Sequence, residues 1–410
     1  MKKLFEKRVS SAVQTIWIEQ NFNDGAAAKK ILEEAAAGGD GDACYFLGRC
    51  YLGECFVNPA FGFPEDDELG YEYFNKSLEY GSAAGMFGSM RAAGFEPKRG
   101  TYVYPPYVSL REIWAVINEM AENGELFCQY MIATAYYFGD VIKFLEYDPE
   151  SIDLAQVQYW KNIAASMYEK CIEQGMGMAI QNLINILTSG DYGMPKQEER
   201  ARLFRHIGAD MHMGVYELET GREYEDSEPE KARELYERAI LHGEPGAYYY
   251  LGELYSFRGK LPRDLNKAKE CYEMGLKKGA NITGCITGCS NCLGEIYFYG
   301  GQGIAPDYEK AVQYFLAVRE NNDWASDMLG TCYLKGLGTP TDYAAAKKEF
   351  EIYTNEALSA IGLGEIYAYG LGVTQDIKKG MEYWDKFPMH PRVIENKKNF
   401  KKTLFGWKQR

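Results

Sequence analysis

The chain has 410 residues, 46% hydrophobic and 25% charged, enough to bury a core in two or three ordinary domains or in one long repeat array. Its 43 glycines against 14 prolines suit many short elements joined by tight turns better than disordered linkers. A net charge of −14 sets most of the surface against nucleic acid, whose binding rests on Lys and Arg neutralising phosphates, and favours basic or neutral partners.

The first residues, Met1 to Arg8, carry charge but lead into no apolar run, so no export signal is expected. No run of 18 apolar residues exists, so no membrane span is expected either. The ten cysteines follow no regular interval and are expected as reduced thiols of a cytoplasmic protein.

Helical segments alternate with glycine stops from near the start. Residues 31–38 read as a helix and its stop, 43–51 with Leu47-Gly48 as the next helix, and 69–80 as its partner, closed by Gly81. Further stops fall at Gly124 and Gly175, and 215–221 with 230–242 reads as another pair. Residues 54–68, 95–108 and 139–155 read as insertions, the places in a repeat array where binding loops arise.

The pattern is clearest over 246–384. Four Leu-Gly pairs stand at Leu251-Gly252, Leu293-Gly294, Leu329-Gly330 and Leu363-Gly364, with the glycines 42, 36 and 34 residues apart. Three residues after each Gly comes a Tyr (Tyr255, Tyr297, Tyr333, Tyr367), then a Gly (Gly259, Gly300, Gly336, Gly370), then an Asp (Asp264, Asp307, Asp342, Asp376). Such a period is the signature of a solenoid. Leu and Tyr, four apart, share one face of a first helix. The Gly beside Leu admits a second helix at close range. The later Gly lets the chain leave the helix with positive φ, and the Asp caps the second helix.

The order Ala-x-x-x-Leu-Gly-x-x-Tyr at 247–255, and Leu293 to Ala311 with its Gly and Asp307-x-x-Lys310-Ala311, resembles the Sel-1-like branch of tetratricopeptide-type repeats. The resemblance implies an all-α fold, a right-handed superhelical solenoid of antiparallel helix pairs, with about nine units over 1–387 and a basic capping segment over 388–410. It also implies an adaptor role. Some relatives are β-lactam-binding, but those pair cysteines in every repeat, a recurrence absent here.

Cys285-x-x-x-Cys289-x-x-Cys292 matches the cysteine spacing of radical S-adenosylmethionine enzymes. No alternating strand–helix pattern accompanies it, and Cys289 takes the place filled by Ala247 and Ala325, so the three are expected as packed small residues on one helical face. His206, His212, His242 and His390 have no metal-ligand spacing and are expected at the surface or at caps. Neither cofactor nor metal nor catalytic residue is expected. The insertion Tyr102-Val103-Tyr104-Pro105-Pro106-Tyr107 is the candidate partner-binding segment, because tyrosines offer much contact area at little entropic cost.

The last stretch, 392–410, holds seven basic residues against Glu395 alone, a net +6 in a chain of −14. Phe400, Leu404 and Trp407 recur at helical spacing, so the segment reads as a terminal helix packed in cis over the last core rather than on a membrane. The function expected is binding of an unidentified protein or peptide on the concave face of the repeat array, by a non-enzymatic adaptor or scaffold. The alternatives are an immunity protein for a basic partner and a β-lactam-binding or -hydrolysing enzyme.

Overall fold

The computed structural model describes residues 2–19, 24–52, 63–64, 66–92, 108–279, 283–320, 322–403 and 406–410. They form two compact units, Met1–Tyr216 and Glu217–Arg410.

In the first unit the helix Lys7–Val13 runs on as a π-turn, Gln14–Ile18, and packs against Gly25–Ala37. Helix pairs follow: Gly41–Tyr51 with Asp67–Glu79, Leu126–Phe138 with Leu154–Glu173, and Ala179–Ser189 with Glu198–Asp210. The core centres on Trp17, Phe46 and Phe127, whose ring centroids lie 4.9 to 6.0 Å apart. The 139–155 insertion is no free loop: it holds the short helix Val141–Phe144, and Phe144 stacks on Phe87 with ring centroids 4.3 Å apart. The other two expected insertions lie largely outside the described residues.

In the second unit the pairs are Ala247–Tyr255 with Leu265–Lys278, Thr283–Tyr299 with Tyr308–Ala317, Asp323–Lys335 with Tyr343–Ile352, and Ala357–Tyr369 with Ile377–Trp384. Each second helix opens on the expected Asp. The side chains of Asp264, Asp307, Asp342 and Asp376 accept from the N–H three residues on, at 2.9 to 3.1 Å. Their own N–H groups donate to the carbonyls of Tyr255, Tyr297, Tyr333 and Tyr367, which clamps the loop between the helices. Gly300, Gly336 and Gly370 leave the first helix at φ +64°, +67° and +70°. Gly259 departs from that pattern and has no positive φ; a Cβ there would strike the backbone of Leu254.

The close approach falls on the Leu-Gly glycine. A Cβ on Gly252, Gly294 or Gly330 would lie 2.5 Å from the ring of Tyr272, Phe315 or Phe350 respectively, each on the paired second helix. Gly48 meets Phe74 in the same way at 2.7 Å, and Gly364 faces Trp384. The contacts run in opposite chain order, Gly48 on Phe74 and Gly70 on Leu52, so the pair is antiparallel. Beside these contacts tyrosines from the two helices stack nearly parallel: Tyr51 on Tyr73, Tyr297 on Tyr314 and Tyr367 on Tyr383, with planes 6° to 7° apart.

The C-terminal segment differs from the expected helix. After a short helix, Pro391–Lys397, it forms an antiparallel hairpin of Phe400–Thr403 and Gly406–Gln409, so the chain is not free of sheet. Four residues per strand suffice to place Phe400 inward, 2% exposed, against Trp384 and Tyr369. Val393 is fully buried in the same cluster as Ile361 and Met381. Trp407 is 37% exposed, and Leu404 lies outside the described residues.

Two stability outcomes follow. Gly294→Leu or Gly330→Leu drives a side chain into an aromatic ring and should cost about 1–3 kcal/mol, read as a lowered Tm in calorimetry. Phe400→Ala empties the last core cluster and should cost about 3 kcal/mol in denaturant unfolding, whereas Trp407→Ala should leave stability nearly unchanged.

Candidate partner-binding site

The three tyrosines expected to bind a partner, Tyr102, Tyr104 and Tyr107, lie outside the described residues. The described residues instead bring together a polar and aromatic strip along the first helices of the second unit.

The strip begins with a glutamate directly after three of the Leu-Gly pairs. Since Gly packs inward against an aromatic ring, the next residue is turned about a hundred degrees around the helix, to the rim of the buried face. There Glu253, Glu295 and Glu365 are half-buried. Each finds a partner from elsewhere in the chain. Glu253 accepts from the Tyr272 hydroxyl and from the Cys292 thiol, the latter at 3.3 Å. Glu295 takes the Arg258 guanidinium at 2.8 and 3.1 Å. Glu365 takes Arg392 through two bonds of 2.6 Å, with Asn396 donating to the same carboxylate. Burial pushes the Glu295 carboxyl above its usual range, and Arg258 opposes that.

Arg258 also lies 5.7 Å from the centre of the Trp324 ring, on the first helix after that of Glu295. Its side chain is 64% exposed, and Phe257 and the exposed Tyr299 pack edge to face beside it. An exposed guanidinium held between a carboxylate and an indole is a rigid, mixed-polarity contact point. Sequence reasoning did not single out this group. The repeated Leu-Gly-Glu was legible, but Cys292, Arg258 and Arg392 reach it from outside its own helix pair.

The cysteine cluster behaves as packing. Cys285 and Cys289 are buried with their sulfurs 3.8 Å apart, while Cys292 points to Glu253. The three sulfurs do not face one point. Burial pushes the thiols of Cys285, Cys289 and Cys292 upward, and those of Cys171 and Cys332 up to about 12. Thiols in that range stay protonated at neutral pH, whereas nucleophilic and metal-binding chemistry uses the thiolate. Two histidines sit at helix ends, as expected. His390 caps the helix Pro391–Lys397. His242 ends Pro229–Leu241 with Nδ1 2.6 Å from the fully buried Glu217, which also takes Arg238 at 2.7 Å.

Buried carboxyls also mark seams between successive first helices. Asp42, 3% exposed, accepts from the Ser82 hydroxyl at 2.5 Å, and Asp327, 4% exposed, accepts from Ser359. Burial raises both carboxyls to about 6 against the serine hydrogen bonds; Asp40 and Glu125 near Asp42, and Glu356 and Asp323 near Asp327, push the same way.

The fold is that of a helical-repeat protein built from paired helices, with a glycine–aromatic contact in the pairs that carry the Leu-Gly motif. The sequence profile of the Sel1 repeat matches it over residues 41–81, 208–244, 245–279, 293–317, 325–348 and 357–387. The chain is a Sel1 repeat protein. Among solved structures it is similar to a protective antigen of uropathogenic Escherichia coli with an SLR fold, at 22% identity over 95% of this chain and 78% of the other, TM-score 0.55. It is also similar to a Sel1 repeat protein from Oxalobacter formigenes, at 17% identity over 89% of this chain and 96% of the other, TM-score 0.46. An immunity protein from Pseudomonas aeruginosa matches at 17% identity over 62% of this chain and 81% of its own, TM-score 0.28. The first of these likenesses speaks to the fold alone. No curated protein matches the sequence.

The seam carboxyls set a pH dependence. A carboxyl raised in the folded state holds its proton where the unfolded chain has lost it, so its stabilisation is full below about pH 4 and is lost as pH rises through about 6. The double variant Asp42→Asn plus Asp327→Asn should therefore lose less Tm between pH 5 and pH 7 than the wild type does, as measured by calorimetry across that range.

Proposed function

We propose that this chain is a non-enzymatic, cytoplasmic scaffold that holds a protein or peptide along the first-helix face of its repeats. Its body is the helix-pair array of 1–387, closed in cis by 388–410. The observation that carries the reading is Arg258, largely exposed yet fixed between Glu295 and Trp324 on successive rigid helices. Repeat arrays present extended surfaces of this kind, and binding energy concentrates where Arg and aromatic residues are held in place. Tyr102, Tyr104 and Tyr107 are proposed as a second contact.

The test is capture from a native lysate by the full chain, with titration calorimetry on the partner that mass spectrometry identifies. Arg258→Ala plus Trp324→Ala should weaken binding by about 2 kcal/mol, roughly thirtyfold. Replacing Tyr102, Tyr104 and Tyr107 together by Ala should weaken it further. Capture untouched by the Arg258–Trp324 change would place the partner elsewhere.

A further inference from the structure

We infer that the C-terminal hairpin is a docking surface for a short acidic segment of a partner protein, with Lys401 and Lys408 on one face meeting its carboxylates and Lys402, Arg410 and Trp407 flanking them. This deepens the scaffold reading and rests on it.

The basic residues of the segment divide into two groups. Arg392 is spent on Glu365, Lys397 on Asp385 at 2.6 Å, and Lys398 on Glu395 at 2.6 Å. These bonds, with Val393 and Phe400 in the core, hold the segment to the last repeat. Lys401, Lys402, Lys408 and Arg410 take no part in that anchoring. All four are exposed, and they have no acidic partner among the described residues. The hairpin is held by groups other than those four side chains: the Arg410 backbone N–H donates to the Asn399 carbonyl at 2.8 Å, Gln375 donates to Gln409 at 3.1 Å, and Asn399 donates to Tyr369 at 2.9 Å.

The strand register sharpens the point. Lys401 stands directly opposite Lys408, and Lys402 opposite Trp407. Like charges facing each other across two strands are destabilising, and no acidic side chain among the described residues offsets this pair. Side chains alternate along a strand, so Lys401 and Lys408 share one face while Lys402 and Trp407 share the other. The strand Gly406–Gln409 is exposed along its whole length. An anionic group between Lys401 and Lys408 would convert that repulsion into two charge-assisted hydrogen bonds.

The rest of the chain decides which anion fits. With +6 in the last nineteen residues, the remainder of a chain of −14 is more acidic still. That charge opposes a long polyanion or a broad anionic surface more than a segment of a few residues, because salt screens charges beyond about 8–10 Å. Lysines on a short strand can also serve only to deter strand-to-strand aggregation, and that role needs no ligand.

The experiment is fluorescence anisotropy of labelled oligoglutamate titrated with the full chain, with oligoglutamine as the control. The expected result is binding of oligoglutamate alone, weakening as salt rises. The triple variant Lys401→Glu, Lys402→Glu, Lys408→Glu should lose at least about tenfold in affinity at unchanged Tm, and Trp407→Ala should lose less. Equal binding by wild type and triple variant overturns the proposal. Retention on phosphatidylserine vesicles that the triple variant loses, without oligoglutamate binding, overturns it in favour of a lipid surface. Peptide binding reads the hairpin and lysate capture reads the Arg258–Trp324 face, so either proposal can fail while the other stands.

Discussion

The structure depends on one contact, an aromatic ring of the second helix lying on a glycine of the first. Gly252 under Tyr272, Gly294 under Phe315 and Gly330 under Phe350 leave no room for a Cβ. The missing side chain lets two helix backbones approach closely enough for the ring to be fully buried, and a buried aromatic contributes far more than a methyl group in its place. The ring of Phe350 also serves the neighbouring repeat, where it faces Gly362 of the next first helix. A single aromatic so positions both helices of its own pair and the start of the next.

Around that apolar contact the polar groups set register. The capping Asp satisfies the free N–H groups at the start of the second helix, and its own N–H ties back to the Tyr that closes the first. Small residues four positions after each Asp, Ala268, Ala311, Ala346 and Gly380, lie on the buried side of the second helix. Seam pairs such as Asp42–Ser82 and Asp327–Ser359 link successive first helices through a buried hydrogen bond. A buried polar group left unpaired costs more than the bond contributes, so these pairs penalise any slip between repeats.

The glutamate ladder connects fold to function. Its position follows from the glycine contact, which turns the following residue to the rim. Its partners vary by repeat. Glu253 is closed by Tyr272 and Cys292, Glu365 by the C-terminal segment, and Glu295 carries an exposed arginine. One repeat architecture therefore yields a packed seam, an anchored terminus and an open contact point.

The sequence by itself determined the repeat frame, the helix starts at Asp264, Asp307, Asp342 and Asp376, the glycine stops at Gly300, Gly336 and Gly370, and the close-packing role of Gly294 and Gly330. These features depend on neighbours within a few residues, or on one paired helix at a constant offset, so periodicity exposes them. Tertiary structure alone decided the partners of Glu295 and Glu365, which lie 37 and 27 residues away along the chain. It also decided the form of the last segment. Phe400, Leu404 and Trp407 have helical spacing, yet the chain pairs as strands, because the core over Trp384 and Tyr369 accepts Phe400 and the short helix before it is already fixed by Arg392 on Glu365. Local periodicity in so short a segment is weak, and the exposed core of the last repeat outweighs it.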